Sequence, residues 1–230
     1  MVAVSEPIGP AVQALERLWR EVSAKPLWLP PNFWRFIKLR GRFELREISR
    51  RDFHISTPIP LVTNCRACTD TCCVGKKNTV SLRLVDIAWL IDLGRTDLMT
   101  ADKPDFAEDE MSRARQRFTE STTFARFPVL RQDARERCLA LSVGGDCTLY
   151  PHWPLSCARF PYSIDLSDRE IFYSPRCPSF TRSESFDEPR IRMMVDAALA
   201  AYNQRIRDWI LLDYAWPALE RIGVTRFLAA

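Results

Sequence analysis

Cys65-Arg66-Ala67-Cys68-Thr69-Asp70-Thr71-Cys72-Cys73 places four thiols within nine consecutive residues. Four more follow, more widely spaced, at Cys138, Cys147, Cys157 and Cys177, and none lies outside residues 65–177. Thiols confined in this way point to bound metal. In Cys65-x2-Cys68 the two-residue spacing lets both sulfurs converge on one ion while backbone amides turn toward them. The adjacent pair Cys72-Cys73 is different. Neighbouring side chains tend to diverge, so this pair suits two irons of one cluster, two sites, or one site plus a spare thiol.

Working outward, the chain divides into three parts. Residues 1–61 form an N-terminal helix and arm, 62–180 the cysteine-cluster metal-binding region, and 181–230 a C-terminal helical extension. Ala11, Leu15, Leu18, Trp19 and Val22 recur at helical spacing and predict an amphipathic helix over 10–24, opened by Pro10 and stopped by Pro26. Residues 25–60 read as an irregular arm rich in Pro and aromatics. Thr79–Leu82 is a strand candidate, and Leu84–Leu93 a helix ended by Gly94. The charged stretch 101–120 reads as surface helix and loop. Residues 138–150 read as two short strands around Gly144-Gly145, and Ile171–Tyr173 as another strand. A long helix begins near Pro189, with Asp187 as its cap and Pro217 as its interruption. Its apolar stripe is Ile191, Met194, Val195, Ala198, Leu199, Tyr202, Ile206, Trp209 and Ile210. The expected fold is α+β: one helix-rich domain with short strands and a small, irregular cysteine region nucleated by metal. Both flanking helices are expected to pack onto that region, because their apolar faces need cover.

Composition sets the class. The 230 residues are 47% hydrophobic and 27% charged, enough for a globular core that needs no disulfides. Glu6, Pro7 and Pro10 near the start do not read as a signal peptide. No uncharged apolar run is long enough to span a bilayer. The expected location is cytoplasmic, where clustered cysteines bind metal or do redox work. The net charge of +4 counts the cysteines as neutral, and each four-thiolate site lowers it by about two. Trp34–Phe43 mixes bases with aromatics. It reads as a solvated face with apolar anchors rather than a nucleic-acid surface.

The downstream cysteines sit in recognisable phrases: Gly145-Asp146-Cys147-Thr148-Leu149-Tyr150, then Trp153-Pro154-Leu155-Ser156-Cys157-Ala158-Arg159-Phe160-Pro161-Tyr162, then Cys177-Pro178-Ser179. With Cys65–Cys73 and Leu82-x3-Asp86-Ile87, their order resembles the YkgJ-like cysteine-cluster family, described as a zinc- or iron-chelating domain. The resemblance spans residues 62–180, about half the chain. Trp153 stands where that family usually has Arg, Ala158-Arg159 reverses an Arg-first order, and Ser179 replaces Gly. The resemblance implies metal binding. Through one branch, the flagellin lysine N-methylases, it implies a protein-modifying enzyme that uses a cluster with S-adenosylmethionine.

The residues themselves carry no conventional methylase signature. There are seven glycines and no Gly-x-Gly-x-x-Gly after a strand, which argues against a Rossmann-type cofactor site. The Cys-x3-Cys-x2-Cys order of radical enzymes is also missing. The candidate metal ligands are Cys65, Cys68, Cys72, Cys73, Cys138, Cys147, Cys157 and Cys177. Arg66 and Arg159 are candidates to hydrogen-bond cluster sulfurs or offset their charge, with surface placement the alternative. His152 and His54 read as structural, and Asp70 and Asp146 as turn residues. Three functional classes follow: an iron–sulfur protein, as electron carrier or cluster-dependent transferase or oxidoreductase; a zinc-stabilised binding module; and a thiol redox protein. The last lacks a thioredoxin-like βαβ context. A four-iron, four-sulfur cluster is favoured over zinc. The expected partner is a protein or small-molecule substrate, with no nucleic acid and no membrane span.

Overall fold

The computed structural model describes residues 9–25, 47–55, 60–63, 72–75, 80–101, 127–164, 169–173, 177, 180–183 and 189–228. The fold is helix-rich α+β. Helix α1 spans Pro10–Ser23, and α2 spans Leu84–Asp92. The two pack together, joined at a carboxylate: Asp92, the last residue of α2, accepts from Ala11 N–H (2.9 Å) and Val12 N–H (3.0 Å). These are first-turn amides with no partner inside their own helix. Gly9 makes room for that contact, since a Cβ there would lie 2.3 Å from Asp92 Cγ. Gly94, at φ +66°, follows α2 in the left-handed region where glycine is favoured.

The strands are short. β1 (His54–Ile55), β5 (Tyr162–Ile164) and β6 (Glu170–Tyr173) form a sheet ordered β1-β6-β5, with β1 parallel and β5 antiparallel to β6. β2 (Leu61–Thr63) pairs antiparallel with β7 (Phe180–Arg182), and β3 (Met99–Thr100) with β4 (Val129–Leu130). Tyr162 is fully buried and joins two sheets. Its hydroxyl donates to Leu61 O (2.6 Å) and accepts from Leu61 N–H (3.2 Å). A single helical turn, α3 (Leu155–Ala158), precedes β5.

Helix α4 runs from Pro189 to Tyr214, and α5 follows from Trp216 to Ile222. Pro217 sits in the first turn of α5, where its missing N–H costs nothing. The stripe read from the sequence faces inward: Ile191, Met194, Val195, Ala198, Tyr202, Ile206 and Ile210 are buried, with Leu199 and Trp209 half-buried. One apolar core draws on α1, α2, β4, β5, α4 and α5. Among the described residues, no helix is long and apolar enough to cross a membrane.

Two expectations change. Residues 138–150 do not form paired strands; they make isolated bridges, Gln132 with Cys138 and Leu141 with Cys147. Leu141 N–H turns back to Cys138 O (2.9 Å), which breaks the extended run before a ladder can form. Residues 80–82 likewise pair through one bridge, Ser81 with Val129, flanked by Leu82 N–H to Pro128 O and Leu130 N–H to Val80 O (both 2.9 Å). The expected arm is described only at Lys25, 47–55 and Pro60; the charged stretch 102–120 and the Asp187 cap lie outside the described residues.

Candidate metal centre

Of the eight candidate ligands, Cys65 and Cys68 lie outside the described residues, as does Arg66. Five of the other six come from three stretches of chain. Cys72 and Cys73 sit on a turn, and Cys138 N–H donates to Cys73 O (2.8 Å), which pins the 138–147 loop to that turn. Gln132 Nε2 adds a bond to Gly75 O (3.1 Å), and Gly75 N–H reaches Glu136 O (2.8 Å). The third stretch, α3, carries Cys157.

Electrostatics relate these thiols. Cys73 is held protonated, its pKa far above the ordinary value, first by a hydrogen bond with the Cys72 thiol, then by burial and by the charges of Cys72, Cys157 and Cys138. Burial, then Cys72, Cys138 and Cys147, push the Cys157 thiol up. Cys138 is raised by burial first, and Cys147 and Cys72 add to it against two opposing backbone N–H groups. Each of the five lies within range of others' charge, and Cys177 is buried. Among the described residues, no three Cys, His, Asp or Glu side chains close around a single ion, so these thiols alone do not complete a ligand set. Their donor chemistry, sulfur throughout, suits iron–sulfur clusters, zinc and other soft ions.

Arg159 is half-buried and turned to the backbone, its Nη1 donating to Tyr162 O (3.0 Å) and Ser163 Oγ (2.7 Å). Burial and then the Arg83 charge lower its pKa, while Cys157 opposes them. It therefore lies near the cluster of thiols and braces the strand after Cys157. His152 packs its ring 4.5 Å from that of Trp89, His54 is exposed, and Asp146 is an exposed turn residue.

Sequence reasoning missed the polar network behind the thiols. Asp86 is buried and accepts from Arg83 N–H (2.8 Å) and Leu155 N–H (3.0 Å). Asp208 on α4 is fully buried. It accepts from Gln204 Nε2 (2.8 Å) and pairs with Arg83 Nη1 at 3.7 Å. Burial raises both acids, Asp86 to about 6 and Asp208 to about 7. Asp86 carried one legible signal: an acid at the third helical position is the mark of a capping box. No family model, curated protein or solved structure matches the chain.

Proposed function

We propose that this chain is a metal protein that holds an iron–sulfur cluster, of the four-iron, four-sulfur type, through its cysteines. The observation that carries the reading is the juxtaposition of Cys72, Cys73, Cys138, Cys147 and Cys157, five thiols from three stretches within range of one another's charge. Crowded thiolates repel, and a cationic centre relieves that repulsion while releasing the protons. The Cys65-x2-Cys68 knuckle and Cys177 complete the pool of ligands. More thiols are present than one zinc needs, and a vicinal pair suits a centre with several irons. When bound, the cluster would supply electron transfer or an open iron for substrate. The likeness to flagellin lysine N-methylases adds protein modification as the transferase version of that chemistry.

The test is metal, sulfide and visible absorption on protein expressed with iron and purified without oxygen. Brown protein with iron and acid-labile sulfide is expected, and Cys157→Ser should lower both. Colourless protein that retains zinc alone would overturn the assignment.

A further inference from the structure

Cys157 sits on a single helical turn, too short to hold its own position. The two residues before it are each tethered to the same distant segment. Leu155 N–H donates to Asp86 Oδ1 (3.0 Å), and Ser156 Oγ donates to Ser81 O (2.8 Å). The other Asp86 oxygen accepts from Arg83 N–H (2.8 Å). One buried carboxylate therefore starts two helices, α2 at its own end and α3 across 69 positions of sequence. Its holder is itself anchored, since Arg83 pairs with the fully buried Asp208 of α4.

We propose that Asp86 is a positioning residue: it fixes the turn that presents Cys157 to the other thiols, and so couples the ligand loop to the helical body. The proposal rests on the reading of Cys157 as a ligand. Both Asp86 oxygens bond backbone N–H groups, and its charge also reaches Cys157. Asp86 acts through Leu155 N–H, and a neutral amide in its place cannot accept both hydrogen bonds through one oxygen while its NH2 faces a second donor.

The test uses the whole chain, first stripped of metal, with alkylation of each thiol followed by mass spectrometry. In Asp86→Asn, Cys157 should react about fivefold or more faster relative to Cys138, the scale expected for one lost hydrogen bond. Asp92→Ala, which removes the cap on α1 and leaves the Leu155 and Ser156 tethers in place, serves as the control and should leave that ratio unchanged. An unchanged ratio in Asp86→Asn, or an equal rise in both variants, overturns the proposal. Because losing the Asp86 charge alone would also speed Cys157, a second variant, Leu155→Pro, deletes the N–H donor while keeping the carboxylate. Proline is tolerated at the first helical position, and Pro154 already has an extended ψ of 144° that suits a following proline. That variant should raise the same ratio, and an unchanged ratio there is equally fatal. Iron loading of the wild type, measured in parallel, reports on the metal reading separately: a chain that takes up no iron yet shows the Cys157 effect loses the cluster but keeps the positioning role.

Discussion

Asp208 is the residue where burial and charge compete most directly. It is 0% exposed, and one oxygen, Oδ2, has no hydrogen-bond partner among the described residues. Desolvation raises its pKa from 3.8 to about 7, against the pull of Arg83, Gln204 and Leu84 N–H. Below the unfolded value of 3.8 both states carry the proton and the fold keeps its full stability. Between 3.8 and about 7 the unfolded chain ionises first, so stability falls as pH rises. Wild-type melting temperature should therefore drop between about pH 4 and pH 7, and Asp208→Asn should flatten that slope. Asp86, also raised, leaves some slope in the variant. Parallel curves for the two proteins would rule out Asp208 as the titrating group. The cysteines announce themselves by type and spacing, but Asp208 does not: on a helix pattern it reads as one more polar position beside the stripe. Its buried charge partner is Arg83, 125 positions earlier, and no local rule supplies that.

At the scale of elements, periodicity carried the helices well. The expected 10–24 and Leu84–Leu93 became Pro10–Ser23 and Leu84–Asp92, because apolar spacing and Pro or Gly punctuation are local signals. The hairpin reading of 138–150 survives only as one antiparallel bridge, Leu141 with Cys147, across the Gly144-Gly145 turn, for an equally physical reason. Backbone groups there bond to Cys73 O, Arg131 O and back on themselves, and alternation cannot reveal such long-range partners. Helix packing sets its own test at Gly9. Its φ of −66° is open to any residue, so the requirement is space alone. A methyl there would meet Asp92 Cγ at 2.3 Å and Cβ at 2.5 Å, both on a helix that cannot yield without moving. Losing the cap alone, as in Asp92→Ala, should cost about 1 kcal/mol. Gly9→Ala should cost more, because it also forces α1 off α2. Denaturant titration gives the order, and a Gly9→Ala variant as stable as wild type would refute the packing argument. Asn203 is a second clasp of this kind, its side chain bonding both Ile48 N–H and Ile48 O at 2.9 Å and tying residues 47–49 to α4.

Across the whole molecule, two kinds of order coexist. α1, α2, α4 and α5 share an apolar core, and each fully buried Leu or Ile in it contributes about 1.5–3 kcal/mol. The thiol-bearing loops 131–153 are held instead by isolated bridges and single hydrogen bonds, with Val143 and Tyr150 left exposed. These loops bury only Ala140 and Leu149 in the core, and the proposed ligand set would tie them further to distant segments. On the proposed metal reading, a chelator under non-denaturing conditions should therefore divide the molecule. Far-ultraviolet helix signal should persist, because the helices pack on one another through a shared apolar core. Amide exchange should rise through 131–153 and at α3, where Leu155 N–H and Cys157 N–H are protected only by Asp86 and Pro154 O. Exchange in α4 should change least at Ile206 and Ile210, which are fully buried. Loss of all protection at once would mean that metal holds the entire fold. Unchanged exchange in the loops would mean that it holds none of it, and either result would remove the coupling between ligand loops and helical body.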